Sequence, residues 1–177
     1  MALLTCGELF CGGGGWIANL LGVLAPLWAI DNDPTVVEAY RRNFGNHVIC
    51  ADATSVDVRA GSGKPALLAS LPQVDILFAS PPCQQWSLAR SKQAPERIDA
   101  EIGTIVCHYI EVLQPRFVFV ENVRGYAKSR SLQHIKNTLS NLGYWFDCAV
   151  VNAADYGVPQ VRERLLLRAS LLLAIPN

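Results

Sequence analysis

Apolar runs of strand length alternate with segments of helical spacing along the whole chain. A chain patterned this way folds as a sheet of mostly parallel strands covered by helices on both faces, a doubly wound α/β architecture. Strands are expected near Leu3 to Phe10, Leu27 to Ile30, His47 to Cys50, Val74 to Ser80, Arg116 to Glu121, Tyr144 to Asn152 and Arg164 to Arg168. The clearest helix carries Ile102, Ile105, Val106, Tyr109, Ile110 and Leu113, whose three- and four-residue steps place them on one face. A second carries Leu132, Ile135, Leu139 and Leu142 and stops at Gly143, which accepts the left-handed cap conformation. A third starts at Pro34 and runs through Val37 and Tyr40, and Ile17 to Leu24 reads as a fourth. Gln84 to Ala100 has no periodicity and mixes charges with small residues, so it is expected to be a long mobile loop.

With 51% of its 177 residues apolar, the chain can bury one substantial core. One domain over residues 1–170 is expected, followed by an apolar tail at 171–177. Acidic and basic residues balance at 15 each, which argues against a large sequence-independent nucleic-acid surface while leaving room for a local basic patch. The six cysteines are scattered without a CxxC pair, the usage of a reducing compartment such as the cytoplasm. The amino terminus lacks the features of a signal peptide, and no apolar run has the length of a bilayer span, so no membrane partner is expected.

The first strand runs into Glu8-Leu9-Phe10-Cys11-Gly12-Gly13-Gly14-Gly15-Trp16. Glycines there let backbone approach a ligand closely, although the spacing is not that of a clean dinucleotide fingerprint. Asp31 and Asp33 stand at the end of the second strand and Asp52 at the end of the third. Carboxylates at such strand ends suit ribose hydroxyls and an adenine amino group, since both are donors. Asp33 is read equally well as the cap of the helix that Pro34 begins. A nucleoside cofactor follows, without a choice between a nicotinamide and a methyl donor.

The run Val74-Asp75-Ile76-Leu77-Phe78-Ala79-Ser80 ends on Pro81-Pro82-Cys83-Gln84-Gln85. Two prolines fix φ and hold the preceding residue extended, so Cys83 is delivered on a stiff turn at a strand's carboxyl end, where open α/β sheets place their chemistry. On this pentapeptide alone a structural cysteine is the better reading. Four elements in order change that: Glu8, Phe10, Gly12, Gly14 and Gly15; Pro81-Pro82-Cys83-Gln84; Glu121-Asn122-Val123; and Gln160-Val161-Arg162-Glu163-Arg164. Together they resemble the DNA cytosine-5 methyltransferase family, over nearly the whole chain. Asn43-Phe44-Gly45, Asn152-Ala153 and Asp155-Tyr156-Gly157-Val158-Pro159 belong to the same resemblance.

The resemblance implies a Rossmann-like fold that binds S-adenosylmethionine, and transfer of its methyl group to carbon 5 of a cytosine flipped out of double-stranded DNA. Carbon 5 is a poor nucleophile, so the Cys83 thiolate would add to carbon 6 and make carbon 5 enamine-like. Glu121 would protonate ring nitrogen 3, which requires a carboxyl that holds its proton near neutrality. Phe10, Gly12, Gly14, Asp31, Asn32, Asp52 and Pro81 would contact the cofactor. Gln84, Ser87, Arg90, Asn122 and Gln160 would face the substrate side, with Asn122 also organising the turn around Glu121 and the proline loop. Arg162 and Arg164, on alternate positions, point the same way, toward the flipped nucleotide, its phosphate or Glu121.

Family members normally continue past the paired arginines into a target-recognition region and two last motifs. The expectation is therefore a split subunit, completed by a second chain that reads DNA, or a fragment of a longer enzyme, in a prokaryotic or phage-like setting of restriction-modification type. An RNA-directed cytosine-5 methyltransferase would use the same Cys83 and Glu121, and Gln84-Gln85-Trp86-Ser87 tilts the reading to DNA. A non-catalytic binding subunit would not need Cys83 with Glu121. A nicotinamide oxidoreductase would leave Pro81-Pro82-Cys83 and Glu121-Asn122-Val123 without a role.

Overall fold

The structure, a computed structural model, describes residues 2–53, 66–82 and 96–171. Its elements are β1 (Leu4–Leu9), β2 (Leu24–Asp31), α1 (Pro34–Phe44), β3 (Val48–Cys50), β4 (Ile76–Ala79), α2 (Glu96–Leu113), β5 (Phe117–Val123), α3 (Arg130–Asn141), β6 (Trp145–Asn152) and β7 (Glu163–Ser170), with short 3-10 turns between some of them. The sheet has the order β3-β2-β1-β4-β5-β7-β6. Pairs from β3 through β5 are parallel, whereas β7 lies antiparallel between β5 and β6. The chain builds outward from β1 to β3, then crosses to β4 on the other side of β1. The switch point between β1 and β4 is where such sheets open a ligand crevice.

Alternation along the strands divides the core. Leu9, Leu77, Val118, Val120, Leu165 and Leu167 face α2 and α3, where they meet Val106, Tyr109, Ile110, Leu132, Ile135 and Leu139. Cys6, Ala29, Ile76 and Phe78 face the other way, toward Val37 and Tyr40 of α1. Each fully buried aliphatic of this kind stabilises the fold by roughly 2 kcal/mol over its exposed state. α2 and α3 approach closely because Gly103 has no side chain: a Cβ there would lie 2.5 Å from the Ser131 Cα.

The expected strands all form. Helix α1 begins as its sequence dictates, with Pro34 at the first turn and the Asp33 carboxylate accepting the N–H groups of Thr35 at 2.8 Å and Val36 at 3.3 Å. Of the two readings of Asp33, the cap is the one the structure contains. The α3 amino terminus is capped by Ser129 Oγ, which accepts from the Leu132 N–H at 3.0 Å, and Gly143 takes φ 80 just beyond its end.

Three expectations are corrected. β2 starts at Leu24, upstream of the expected Leu27, because Pro26 does not stop it: Cys6 pairs with Pro26 and Gly7 with Trp28, so Leu27 is the extra residue of a bulge that accommodates the proline. The helix expected over Ile17 to Leu24 is only a 3-10 turn at Ile17–Asn19, since Gly22 turns the chain at φ 82 and Leu24 enters the sheet. Finally, the expected loop is helical at its end. Ile98 extends the four-residue spacing of Ile102 upstream, and α2 starts at Glu96. The rest of that expected loop, residues 84–95, lies outside the described residues.

Candidate active site

A pocket of about 460 Å³ opens at the carboxyl ends of β1, β4 and β5, at the switch point. Its wall is Phe10, Cys11, Gly12, Gly13, Gly15 and Trp16 from the loop after β1, Ser80 after β4, Glu121 from β5, and Arg162 and Leu166 beside and within β7. Residues as far apart in sequence as Phe10 and Leu166 are brought together by strand order.

The glycine loop is held open by specific bonds. Phe10 takes a positive φ of 55°, uncommon for a residue with a side chain, and Gly12 one of 52°. The Cys11 N–H donates to Ile30 O at 3.0 Å, and the Gly12 N–H to Asp31 Oδ2 at 2.9 Å. A Cβ placed on Gly12, Gly13 or Gly15 meets no heavy atom within 4 Å, so these three backbones border open space. Gly14 differs: it is buried, turned from the pocket, and a Cβ on it would lie 2.2 Å from the Phe44 ring. Gly14 is a packing requirement beneath the loop.

Under the loop, Glu8 is 3% exposed. Burial pushes its carboxyl up from the usual range to about 7, against the pull of the Tyr40 hydroxyl and the nearby Trp16 N–H, while the Asp31 charge adds to the rise. Tyr40 Oη donates to Glu8 Oε2 at 3.2 Å and stands 3.1 Å from His47 Nε2. Glu8 Oε1 is buried without a partner, which fits a carboxyl that keeps its proton near neutrality. Burial also pushes the Cys6 thiol up to about 11, with the Glu8 charge adding to it, and raises Cys11 further. These buried thiols are packing groups.

On the far wall, Arg164 Nε lies 2.8 Å from Glu121 Oε1. Arg162 lines the pocket two residues earlier, so the alternate arginines do face one side. Asn152 Oδ1 steadies the turn before β7 by accepting the N–H groups of Ala154 at 3.2 Å and Arg162 at 3.0 Å. Asn122 is buried. Its Nδ2 donates to Pro81 O at 2.9 Å and its Oδ1 accepts the Val123 N–H at 2.9 Å, so its described bonds go to the protein, joining the β5 end to the start of the proline turn.

The remaining expected residues spread around the rim. Asp31 Oδ1 accepts the Asp33 N–H at 3.1 Å while Oδ2 holds Gly12. Asn32 and Asp52 are exposed at the ends of β2 and β3, outside this pocket, and Gln160 is exposed on the loop before β7. Cys83, Gln84, Ser87 and Arg90 lie outside the described residues. Sequence reasoning did not single out Trp16 and Ser80 as site residues. Trp16 Nε1 donates to Ser80 Oγ at 2.9 Å, and the available signal was a tryptophan ending a glycine run.

The family model for C-5 cytosine-specific DNA methylases matches residues 4–172. The chain belongs to that family. The Type II methyltransferase M.HhaI of Haemophilus parahaemolyticus is 31% identical over 164 residues, covering 90% of this chain and 47% of that protein. The S. pombe Dnmt2 methyltransferase structure superposes with a TM-score of 0.76 at 20% identity, covering 99% of this chain and 52% of that one. The magnesium protoporphyrin IX methyltransferase of Synechocystis, solved with bound SAM, superposes at 0.58 with 13% identity, covering 96% of this chain and 70% of that one. The doubly wound, Rossmann-like methyltransferase fold is thus established, and the chain spans about half the length of the M.HhaI relative it matches.

Proposed function

We propose that this chain is the catalytic part of a DNA cytosine-5 methyltransferase that uses S-adenosylmethionine. The observation that carries the reading is one pocket in which a glycine loop at the β1 end faces Glu121 and Arg162 at the β5 and β7 ends, with Pro81 tied to Asn122 beside it. The open space beside Gly12, Gly13 and Gly15 fits a cofactor that lies against backbone, with Phe10 and Trp16 as apolar walls. Asp31, already holding Gly12, keeps a carboxylate at the rim for ribose hydroxyls, with Asn32 and Asp52 along the same edge. When bound, S-adenosylmethionine supplies an electrophilic methyl group.

The residues supply the rest. The Cys83 thiolate forms a bond to carbon 6 of the flipped cytosine, and the displaced π electrons are met by a proton from Glu121 at nitrogen 3. Arg164 orients Glu121, and Arg162 stands at the pocket mouth, suited to a phosphate or the base. After carbon 5 is methylated, loss of its proton restores the double bond and expels Cys83. Gln84, Ser87, Arg90 and Gln160 serve the substrate side.

Balanced charge on this chain supports a DNA-reading surface contributed by polypeptide outside these 177 residues, in a second chain or a continuation. The free state of Cys6, Cys11, Cys50, Cys107 and Cys148 agrees with a reducing cytoplasm, and among the described residues no helix is long and apolar enough to cross a membrane. Incubation of the chain in its full-length context with labelled S-adenosylmethionine, duplex DNA and transfer RNA tests the reading. Label in DNA at carbon 5 of cytosine supports it; label in RNA alone, or in neither, overturns it.

A further inference from the structure

The pocket has two halves. Its β1 side is the glycine loop from Phe10 to Trp16, and its β5–β7 side is Glu121, Arg162 and Leu166. Ser80 stands between them because β4 lies between β1 and β5 in the sheet. Trp16 fastens the loop to that post. Its Nε1–H donates to Ser80 Oγ at 2.9 Å, its ring stacks on Phe78 of β4 at 4.7 Å and 23°, and it leans on Phe119 of β5 at 6.2 Å. Stacking alone would serve packing. The indole bond adds direction, since it joins two residues that both line the pocket and come from different strand ends.

Ser80 is also the last residue before the proline turn. Its N–H donates to Leu9 O at 3.2 Å, and the Pro81 carbonyl is held by Asn122 at 2.9 Å. Backbone is therefore fixed on both sides of the Ser80 side chain, and the hydroxyl is the point where the glycine loop takes hold of this strand end.

We infer that Trp16 and Ser80 are a positioning pair that couples occupancy of the glycine loop to the strand end that leads into Pro81-Pro82-Cys83. The inference rests on the reading of this pocket as a cofactor site. A ligand seated against Gly12, Gly13 and Gly15 moves or stiffens Trp16, and the indole bond passes that to Ser80.

The test uses the chain in its full-length context with S-adenosylhomocysteine, whose affinity is measured by calorimetry. The rate of Cys83 alkylation by iodoacetamide is then followed by peptide mass spectrometry, with and without saturating ligand. Trp16→Phe keeps the stack and removes the donor, Ser80→Ala removes the acceptor, and Ser80→Thr restores a hydroxyl. The expected result is a ligand-dependent change in Cys83 rate of about three- to tenfold in the wild type and Ser80→Thr, the range set by one hydrogen bond. In Trp16→Phe and Ser80→Ala the ratio, measured at ligand concentrations that saturate each variant by its own calorimetric affinity, falls toward one. A wild-type ratio of one, or a ratio retained in both variants, overturns the coupling. Absence of ligand binding by the wild type overturns the cofactor reading itself, and the coupling with it.

Discussion

Arg164 reaches Glu121 across the β5–β7 ladder, with Nε 2.8 Å from Oε1. Val123 pairs with Arg164 and Glu121 with Leu166, so the contact is a diagonal one between antiparallel neighbours on one face of the sheet. The two side chains keep 24% and 29% of their exposure, and an ion pair that wet contributes about 0–1 kcal/mol to stability. Its value is in direction: it fixes the Glu121 carboxyl at the edge of the pocket that the glycine loop borders.

Glu121→Gln therefore separates chemistry from folding. The urea midpoint is expected to correspond to a loss within about 1 kcal/mol. Methyl transfer in the full-length context falls by about 10²-fold or more, the usual contribution of a positioned general acid. Arg164→Ala should leave a smaller kinetic defect than Glu121→Gln, because it disorders the acid without removing it. Equal urea midpoints with unchanged single-turnover rates would contradict both roles.

Asn122→Ala leaves the Pro81 carbonyl unpartnered in a buried place and the Val123 N–H unpartnered in a half-buried one. Such unsatisfied groups cost about 1–3 kcal/mol each way they are left, and the loss is expected in chemical denaturation monitored by tryptophan fluorescence. A neutral Asn122→Ala would show that the β5 end and the proline turn are not joined by this amide.

Glu8 makes stability depend on pH. Its carboxyl is raised by burial from 4.5 to about 7, so the native state holds a proton that the unfolded chain releases earlier. The associated stability is fully present below about pH 4.5 and is lost as pH rises through about 7, on the order of 3 kcal/mol in all. His47, lowered by its own burial, acts in the opposite sense as pH falls. The difference between wild type and Glu8→Gln isolates the Glu8 part: in urea titrations the variant should gain relative stability between pH 5 and pH 7.5, values chosen to bracket the window. A constant difference across that range would contradict the assignment.

Gly14→Ala is expected to destabilise by well over 1 kcal/mol, because an alanine at φ 87 is strained and its Cβ would press on the Phe44 ring at 2.2 Å. Gly13→Ala, with nothing within 4 Å, should melt within a degree or two of wild type. Phe44→Leu combined with Gly14→Ala should recover part of the loss. Equal melting temperatures for the two single variants would contradict the packing role of Gly14.

The centre of the sheet was legible in the sequence because β4 is buried on both faces and so reads as an unbroken apolar run, Ile76-Leu77-Phe78-Ala79. Pro26 hid the start of β2, since a bulge is a property of two strands in register and not of one. Ile17 to Leu24 misled for a related reason: local apolar spacing suggested a helix, whereas pairing of Leu24 with Leu4 drew the chain into the sheet. Glu121, Arg162 and Phe10, singled out from separate motifs, do come together along one pocket. That Gly14 packs on Phe44 was not legible, because a motif does not say which glycine faces which neighbour. Trp16 and Ser80 were missed because their bond spans 64 positions and exists only once Leu9 is aligned with Ala79.

The central claim is that Cys83 attacks carbon 6 of a flipped cytosine. Its most direct measurement is mass spectrometry of the Cys83 peptide after the full-length enzyme is incubated with S-adenosylmethionine and duplex DNA carrying 5-fluorocytosine at the methylated position, where fluorine blocks the final proton loss. Covalent catalysis predicts a stable adduct between Cys83 and the DNA, absent in Cys83→Ser, which should also lose methylation. An enzyme that methylates ordinary cytosine yet leaves Cys83 unmodified on the fluorinated duplex would contradict it.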